Sequence, residues 1–200
     1  MWIKHVSYDE ATGRLRELYD RVKGPGNNVD NIMLAHSLRP HTMEGHLTLY
    51  KAVLHHPGNT LPRWFREALG IHVSLLNGCI YCVEHHFTGM RRLLGDNQHA
   101  QEIRSALEAG ISGEPFSGKE RVALAYARKL TLAPGEVTEG DAAALREADW
   151  DDGEILEINQ VVAYFNYANR TAVGLGVDTH GDILGLSPRE SEDLREWHHR

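Results

Sequence analysis

Residues 63–94, RWFREALGIHVSLLNGCIYCVEHHFTGMRRLL, decide the fold. The stretch reads as two helices broken at Asn77-Gly78, because glycine disfavours helix interiors and asparagine is a preferred cap. Cys79 then falls in the first turn of the second helix, where free amide N–H groups and the positive end of the helix dipole stabilise a thiolate. At about 100° per residue, Cys79, Cys82 and His86 lie within about a 60° arc of one helix face. Cys82 and His86 are four residues apart, the spacing at which helix side chains meet, so the imidazole can take the thiol proton. Cys79 stands one turn before Cys82, close enough for a disulfide after modest adjustment. An antiparallel return through Asn77-Gly78 brings Glu67 of the first helix to His86, where its carboxylate would fix the imidazole tautomer.

Helical signals continue on both sides of this stretch. Ser7 with Glu10, Ser117 with Glu120, Asp151 with Glu154 and Ser187 with Glu190 each pair a capping residue with an acid three positions on. Pro40, Pro62 and Pro188 fit first-turn positions, while Gly24-Pro25, Gly110 and Pro134-Gly135 mark helix ends. Apolar residues recur at three and four positions, as in Val122, Tyr126 and Leu130, or Ile155, Ile158, Val162 and Phe165. Alternating strand patterns are absent. The expectation is an all-α bundle of eight to ten helices in a single domain over residues 1–200. Within it, residues 30–120 carry the redox motif, 121–180 form a second helical half, and 181–200 a C-terminal helix. One echo suggests a duplicated helical hairpin: Glu67, Cys79 and Cys82 correspond to Glu154, Asn166 and Asn169 at a constant offset of 87 residues.

Composition narrows the function. The chain has 21 Lys and Arg against 28 Asp and Glu, a net charge of −7, and no basic block that follows a phosphate backbone. Nucleic acid is therefore an unexpected partner. No apolar run reaches the roughly 18 residues that span a bilayer, and residues 1–10 lack the apolar core of a secretory signal, so a cytoplasmic protein without a membrane partner is expected. Its two cysteines close too short a loop to staple the chain usefully, which favours redox chemistry or metal binding.

Three readings of the cysteine pair are open from the residues. In the first, a thiolate attacks the O–O bond of a peroxide, becomes a sulfenic acid and is resolved as a disulfide by the second cysteine, which an external dithiol then reduces. In the second, Cys79, Cys82 and His86 hold zinc, with His85 or His72 as fourth ligand; three ligands along one helical face close a tetrahedron poorly. In the third, the thiols are buried and inert. No other metal site and no cofactor is expected. His5, His36 and His46 read as isolated surface residues, and His85 as turned away from the motif. His55-His56 and His198-His199 have no assignable partners. Tyr164, Phe165 and Tyr167 read as core, and Asn166, Asn169 and Arg170 as a polar network or as substrate contacts near the pocket, not as catalytic groups. Glu67 by itself would be an ordinary helix partner of Arg63.

The motif Glu67, Cys79, Cys82, His86, with eleven residues before Cys-x-x-Cys and three after it, resembles the alkylhydroperoxidase AhpD-like branch of the carboxymuconolactone decarboxylase superfamily. Arg66 to Leu69, Asn77 to Cys79, and the later Phe165 to Arg170 with Leu175 to Val177 resemble its longer peroxidase-related members, over roughly residues 30–180. The resemblance implies Cys82 as the cysteine that passes through sulfenic acid, Cys79 as the resolving cysteine, and Glu67 and His86 as proton relay. It also implies an antioxidant function that reduces hydroperoxides, a lipoyl or thioredoxin-like dithiol reductant, and a homo-oligomer, as dimer, trimer or hexamer. Many members have a histidine where this chain has Tyr81. That departure keeps a general disulfide oxidoreductase open beside the peroxidase, and a noncatalytic helical oligomer with a Cys/His metal site stands as the third reading. Decarboxylation of a lactone acid, which needs no vicinal dithiol, is disfavoured.

Overall fold

A computed structural model describes residues 1–110 and 115–197. Among them are nine α-helices and no strand: α1 (Gly13–Val22), α2 (Asn31–Ala35), α3 (Pro40–His55), α4 (Arg63–Leu76), α5 (Ile80–Leu94), α6 (Asn97–Glu108), α7 (Gly118–Leu132), α8 (Glu139–Glu147) and α9 (Asp152–Leu175), with 3₁₀ turns at Pro25–Asn27 and Pro134–Glu136. The all-α expectation holds. His198-His199 lie outside the described residues.

The centre of the bundle is α4. Every residue from Phe65 to Ser74 is buried, so this helix has no solvent face, and α5, α7 and α9 pack around it. Helix α5 divides the core in two. Its Val83, Phe87 and Met90 pack into the apolar cluster around α4 and α9, while Cys79, Tyr81 and Cys82 belong to a second cluster built from α1 to α3, the end of α9 and Trp197.

Local signals account for most helix boundaries. Capping boxes close at Ser117–Glu120 and Asp151–Glu154, and Pro40 opens α3. Pro62 takes the cap position just before α4 rather than its first turn. Ser7 and Glu10 also bond reciprocally, but they close a single turn, and the helix begins only at Gly13. The duplicated hairpin is not found. Residues 152–175 form one unbroken helix in which Asn166 and Asn169 sit in the interior, because Tyr164 and Phe165 occupy the positions matching the helix-breaking Asn77 and Gly78.

The expected C-terminal helix is also absent from the described part of 181–200. Residues 181–197 form an irregular strap over the open end of the bundle. Ser187 and Glu190 make no capping box there. The Glu190 carboxylate is bound instead by Arg63 Nε (3.1 Å) and Arg66 Nη2 (3.5 Å) of α4.

The tightest helix contact lies where Gly70 of α4 meets the Phe165 ring of α9, since a Cβ at Gly70 would fall 2.1 Å from Phe165 Cζ. Gly70→Val should lower stability by about 3 kcal/mol through overpacking, read as a lower urea midpoint. Gly174→Val, at a site with open space, should stay within about 0.5 kcal/mol of the parent protein. Equal midpoints for both variants would contradict this helix approach.

Candidate functional site

The turn between α4 and α5 sets the geometry. Helix α4 ends at Leu76 with Asn77 as its C-cap, Gly78 takes the left-handed conformation (φ 67°), and Cys79 is the N-cap of α5, one residue ahead of the expected first turn. The antiparallel return brings Glu67 to His86: His86 Nδ1 donates to Glu67 Oε2 at 2.6 Å, with the side chains only 6% and 13% exposed. Glu67 does not pair with Arg63, which is held by Glu190. The His86 ring is clamped edge-on against Phe165 (4.6 Å) and lies beside Tyr50 (6.3 Å).

The two cysteines are reduced and buried, with their sulfurs in contact at 3.0 Å. Their acidities are split. Cys79 is pulled below the ordinary thiol range, first by its hydrogen bond from Cys82 and then by the backbone N–H of Cys82 and the Asn169 side chain, against the opposing effect of burial. Cys82 is pushed well above the ordinary range by that same interaction with Cys79 and by burial. The pair therefore holds one thiolate readily, at the helix N-terminus, while Cys82 keeps its proton until a base takes it.

The two cysteines line different spaces. Cys82, His86, Glu67, Tyr50, Tyr81 and His85 line a cavity of about 60 Å³, shared with Asp30, His46 and Tyr164 and roofed by Gly185 to Pro188 and Trp197. Cys79 lines a separate opening with Gly78, Ile80, Val173, Asp178 and Thr179. Burial pushes the phenols of Tyr50, Tyr81 and Tyr164 well above their ordinary range, so they stand in the cavity as neutral donors. His46 is pushed down to about 3 by burial and is a neutral ring near neutral pH. His36 and His46 are thus buried residues, not surface ones; their rings lie 5.1 Å apart. His55 is buried against Tyr50 as well.

His85 corrects a second expectation. Rather than facing solvent, its Nε2 lies 3.1 Å from Asp182 Oδ2, an oxygen that also accepts the Tyr81 hydroxyl at 3.0 Å. The backbone N–H of Asn31 donates to both Asp182 oxygens at 3.0 Å, and Tyr81 Oη accepts the backbone N–H of Ile32 at 3.2 Å. Tyr81 therefore ties α2, α5 and the strap together. No local pattern announces Asp182, because its partners lie more than 90 residues away.

Asn166, Asn169 and Arg170 form a polar network, as expected. Asn77 donates to the Oδ1 atoms of Asn166 and Asn169 at 3.1 Å each, Asn169 donates to Ser74 at 2.9 Å, and Arg170 donates to Asn166 at 2.6 Å. Through the contacts of Asn169 with the cysteines this network reaches the redox pair. Among the described residues no three His, Cys, Asp or Glu side chains converge as a metal site, and no helix is long and apolar enough to cross a membrane.

No family model matches the chain. The uncharacterized protein YdfG of Bacillus subtilis is 23% identical over 118 residues, covering 59% of this chain and 78% of the relative. An uncharacterized peroxidase-related protein from Silicibacter sp. TM1040 is 26% identical with a TM-score of 0.70, over 82% of this chain and 83% of the other. The alkylhydroperoxidase AhpD core protein from Ralstonia eutropha JMP134, also described as peroxidase-related and uncharacterized, covers 100% of this chain and 97% of its own at 21% identity and a TM-score of 0.76. The debrominase Bmp8, solved as a cysteine-to-alanine variant with 2,3,4-tribromopyrrole, shares the fold at 17% identity and a TM-score of 0.71, over 89% and 91% of the chains. The chain has the all-α fold of these AhpD-like and peroxidase-related proteins.

If the Cys82 proton stabilises the Cys79 thiolate, Cys82→Ala should raise the Cys79 pKa, whereas Cys82→Ser, which keeps a donor, should raise it less. Thiolate absorbance across a pH titration measures both. Identical curves would remove the Cys82 donor as the cause.

Proposed function

We propose that this AhpD-like chain is a thiol-dependent hydroperoxide reductase in which Cys82 attacks, Cys79 resolves, and His86, oriented by Glu67, moves the proton. The observation that carries the reading is the buried Glu67–His86 hydrogen bond in a cavity that Cys82 also lines. A buried thiol whose pKa is pushed up is a poor nucleophile unless a base stands beside it. With Nδ1 engaged by Glu67, Nε2 is the ring nitrogen left to exchange a proton with Cys82, one helical turn away.

The chemistry balances as follows. His86 takes the Cys82 proton; the thiolate attacks the terminal oxygen of the hydroperoxide, an S–O bond forms, the O–O bond breaks, and the leaving alkoxide takes the proton from His86 as the alcohol. The Cys79 thiolate then attacks the Cys82 sulfur and closes the disulfide, displacing hydroxide, which takes a proton from solvent and leaves as water. A dithiol of the lipoyl or thioredoxin class supplies two electrons to reopen it. The low pKa of Cys79 suits this second step, since the resolving sulfur is already ionised. The thiols supply the electrons, His86 relays the Cys82 proton and solvent supplies the last proton, so the reading needs no cofactor.

A second reading, a general disulfide oxidoreductase, draws on one observation: the more acidic sulfur, Cys79, faces the opening away from the Cys82 cavity. Turnover of a model disulfide against turnover of peroxide separates the two.

Cys82→Ser should abolish peroxide consumption, and Cys79→Ser should allow one turnover and leave a sulfenic acid on Cys82 that a dimedone adduct reveals by mass. His86→Ala should slow the peroxide step by about 100-fold or more, the usual contribution of a positioned base. Full activity in either cysteine variant would overturn the mechanism.

A further inference from the structure

The reacting cavity is small, and the strap covers part of it. Its volume is about 60 Å³. A single water needs only about 10–15 Å³ of such space, while a cavity that accepts a benzene ring measures about 150 Å³. The space beside Cys82 therefore admits a few non-hydrogen atoms and no aromatic ring.

The roof is fastened at many points, which makes its position a property of the fold. Gly185 lies directly on α5: with φ at 73°, a Cβ there would sit 2.7 Å from Thr88 Cγ2 and 2.9 Å from Gly89 N, so only glycine fits. On either side, Arg92 grips the carbonyls of Leu184 (3.0 Å) and Gly185 (2.7 Å), and Asp182 is held by Tyr81, His85 and the Asn31 amide. Farther along, Glu190 joins Arg63 and Arg66, and the buried Lys51 donates to Ser191 Oγ at 2.8 Å and to the Glu196 carbonyl. The strap ends with Trp197 stacked on Tyr50 at 5.6 Å, which places an indole over the cavity.

We infer that the strap, through Leu186, Pro188 and Trp197, restricts the substrate to hydrogen peroxide and short-chain hydroperoxides and excludes aromatic and long-chain ones. This rests on the hydroperoxide-reductase reading and names its substrate class. Moving one ring-sized group past the roof requires displacing packed side chains, and interiors resist such displacement.

Two measurements on the full chain test it. Peroxide consumption with excess dithiol is compared for hydrogen peroxide and cumene hydroperoxide; in parallel, Cys82 of the Cys79→Ser variant is alkylated with iodoacetamide and with N-phenylmaleimide, each rate normalised to glutathione. The expected result is a preference of at least about tenfold for the smaller reagent in both assays, the scale on which pocket shape discriminates. That preference should shrink in both Leu186→Ala and Trp197→Ala, so a folding failure in one leaves the other informative. Equal normalised rates for small and ring-bearing reagents would overturn the inference while leaving the peroxidase reading intact. If no peroxide of either size is consumed, the peroxidase reading fails, and the alkylation preference alone decides whether the roof limits access.

Discussion

A carboxylate sits in the middle of the most buried helix of this molecule, and it has to be met by a donor. An ionised group without a partner in such a place costs several kcal/mol, far more than any surface pair returns. Glu67 is met by His86 at 2.6 Å, and that contact dictates the local architecture. Helix α5 must run back antiparallel along α4, so the chain has to reverse within three residues, and the left-handed Gly78 makes that reversal. The register that joins Glu67 to His86 then fixes Cys82 one turn before the imidazole and Cys79 at the end of α5.

The two sulfurs inherit unequal surroundings from this placement. Cys79 is in contact with the amide end of α5 and receives the Cys82 hydrogen bond; Cys82 is buried and keeps its proton. In the proposed mechanism the identical side chains take different work. The acidic sulfur is ready as a nucleophile toward its neighbour, and the less acidic one depends on His86. A thiolate's intrinsic nucleophilicity rises with its pKa, so Cys82, once deprotonated, is also the stronger attacker.

The sequence shows the centre of this site because its spacings are local. Four residues separate Cys82 from His86, and a short turn joins two helices, so helical geometry alone predicts which faces meet. Helix boundaries at Ser117 and Asp151 are legible for the same reason. The strap is not. Ser187 and Glu190 carry a helix-start pattern, but a cap is worth only about 1 kcal/mol, and Glu190 makes two ion pairs with Arg63 and Arg66 on the central helix instead. Asp182 has no pattern at all, and with it goes the placement of His85, which local geometry turns away from the motif and a carboxylate 97 residues on holds in the cavity wall. The offset echo between 67–82 and 154–169 fails in the opposite sense: matched residues reflect two amphipathic helices of similar period, not one repeated hairpin.

Enclosure and reactivity are physically linked in this arrangement. The strap, through Trp197, is part of the shell that buries Cys82, and burial, after the interaction with Cys79, is among the causes that push its pKa up. A roof that shifted to admit a larger substrate would hydrate the sulfur, ease its ionisation and reduce its dependence on His86. In the proposed mechanism substrate size and need for the Glu67–His86 pair would therefore follow one structural variable, the seating of residues 182–197 on α5 and Tyr50. Tyr81, where the resemblance leads one to expect a histidine, occupies a structural position: its hydroxyl binds Asp182 and the backbone of α2, so its part in the proposed chemistry is to hold the roof in place.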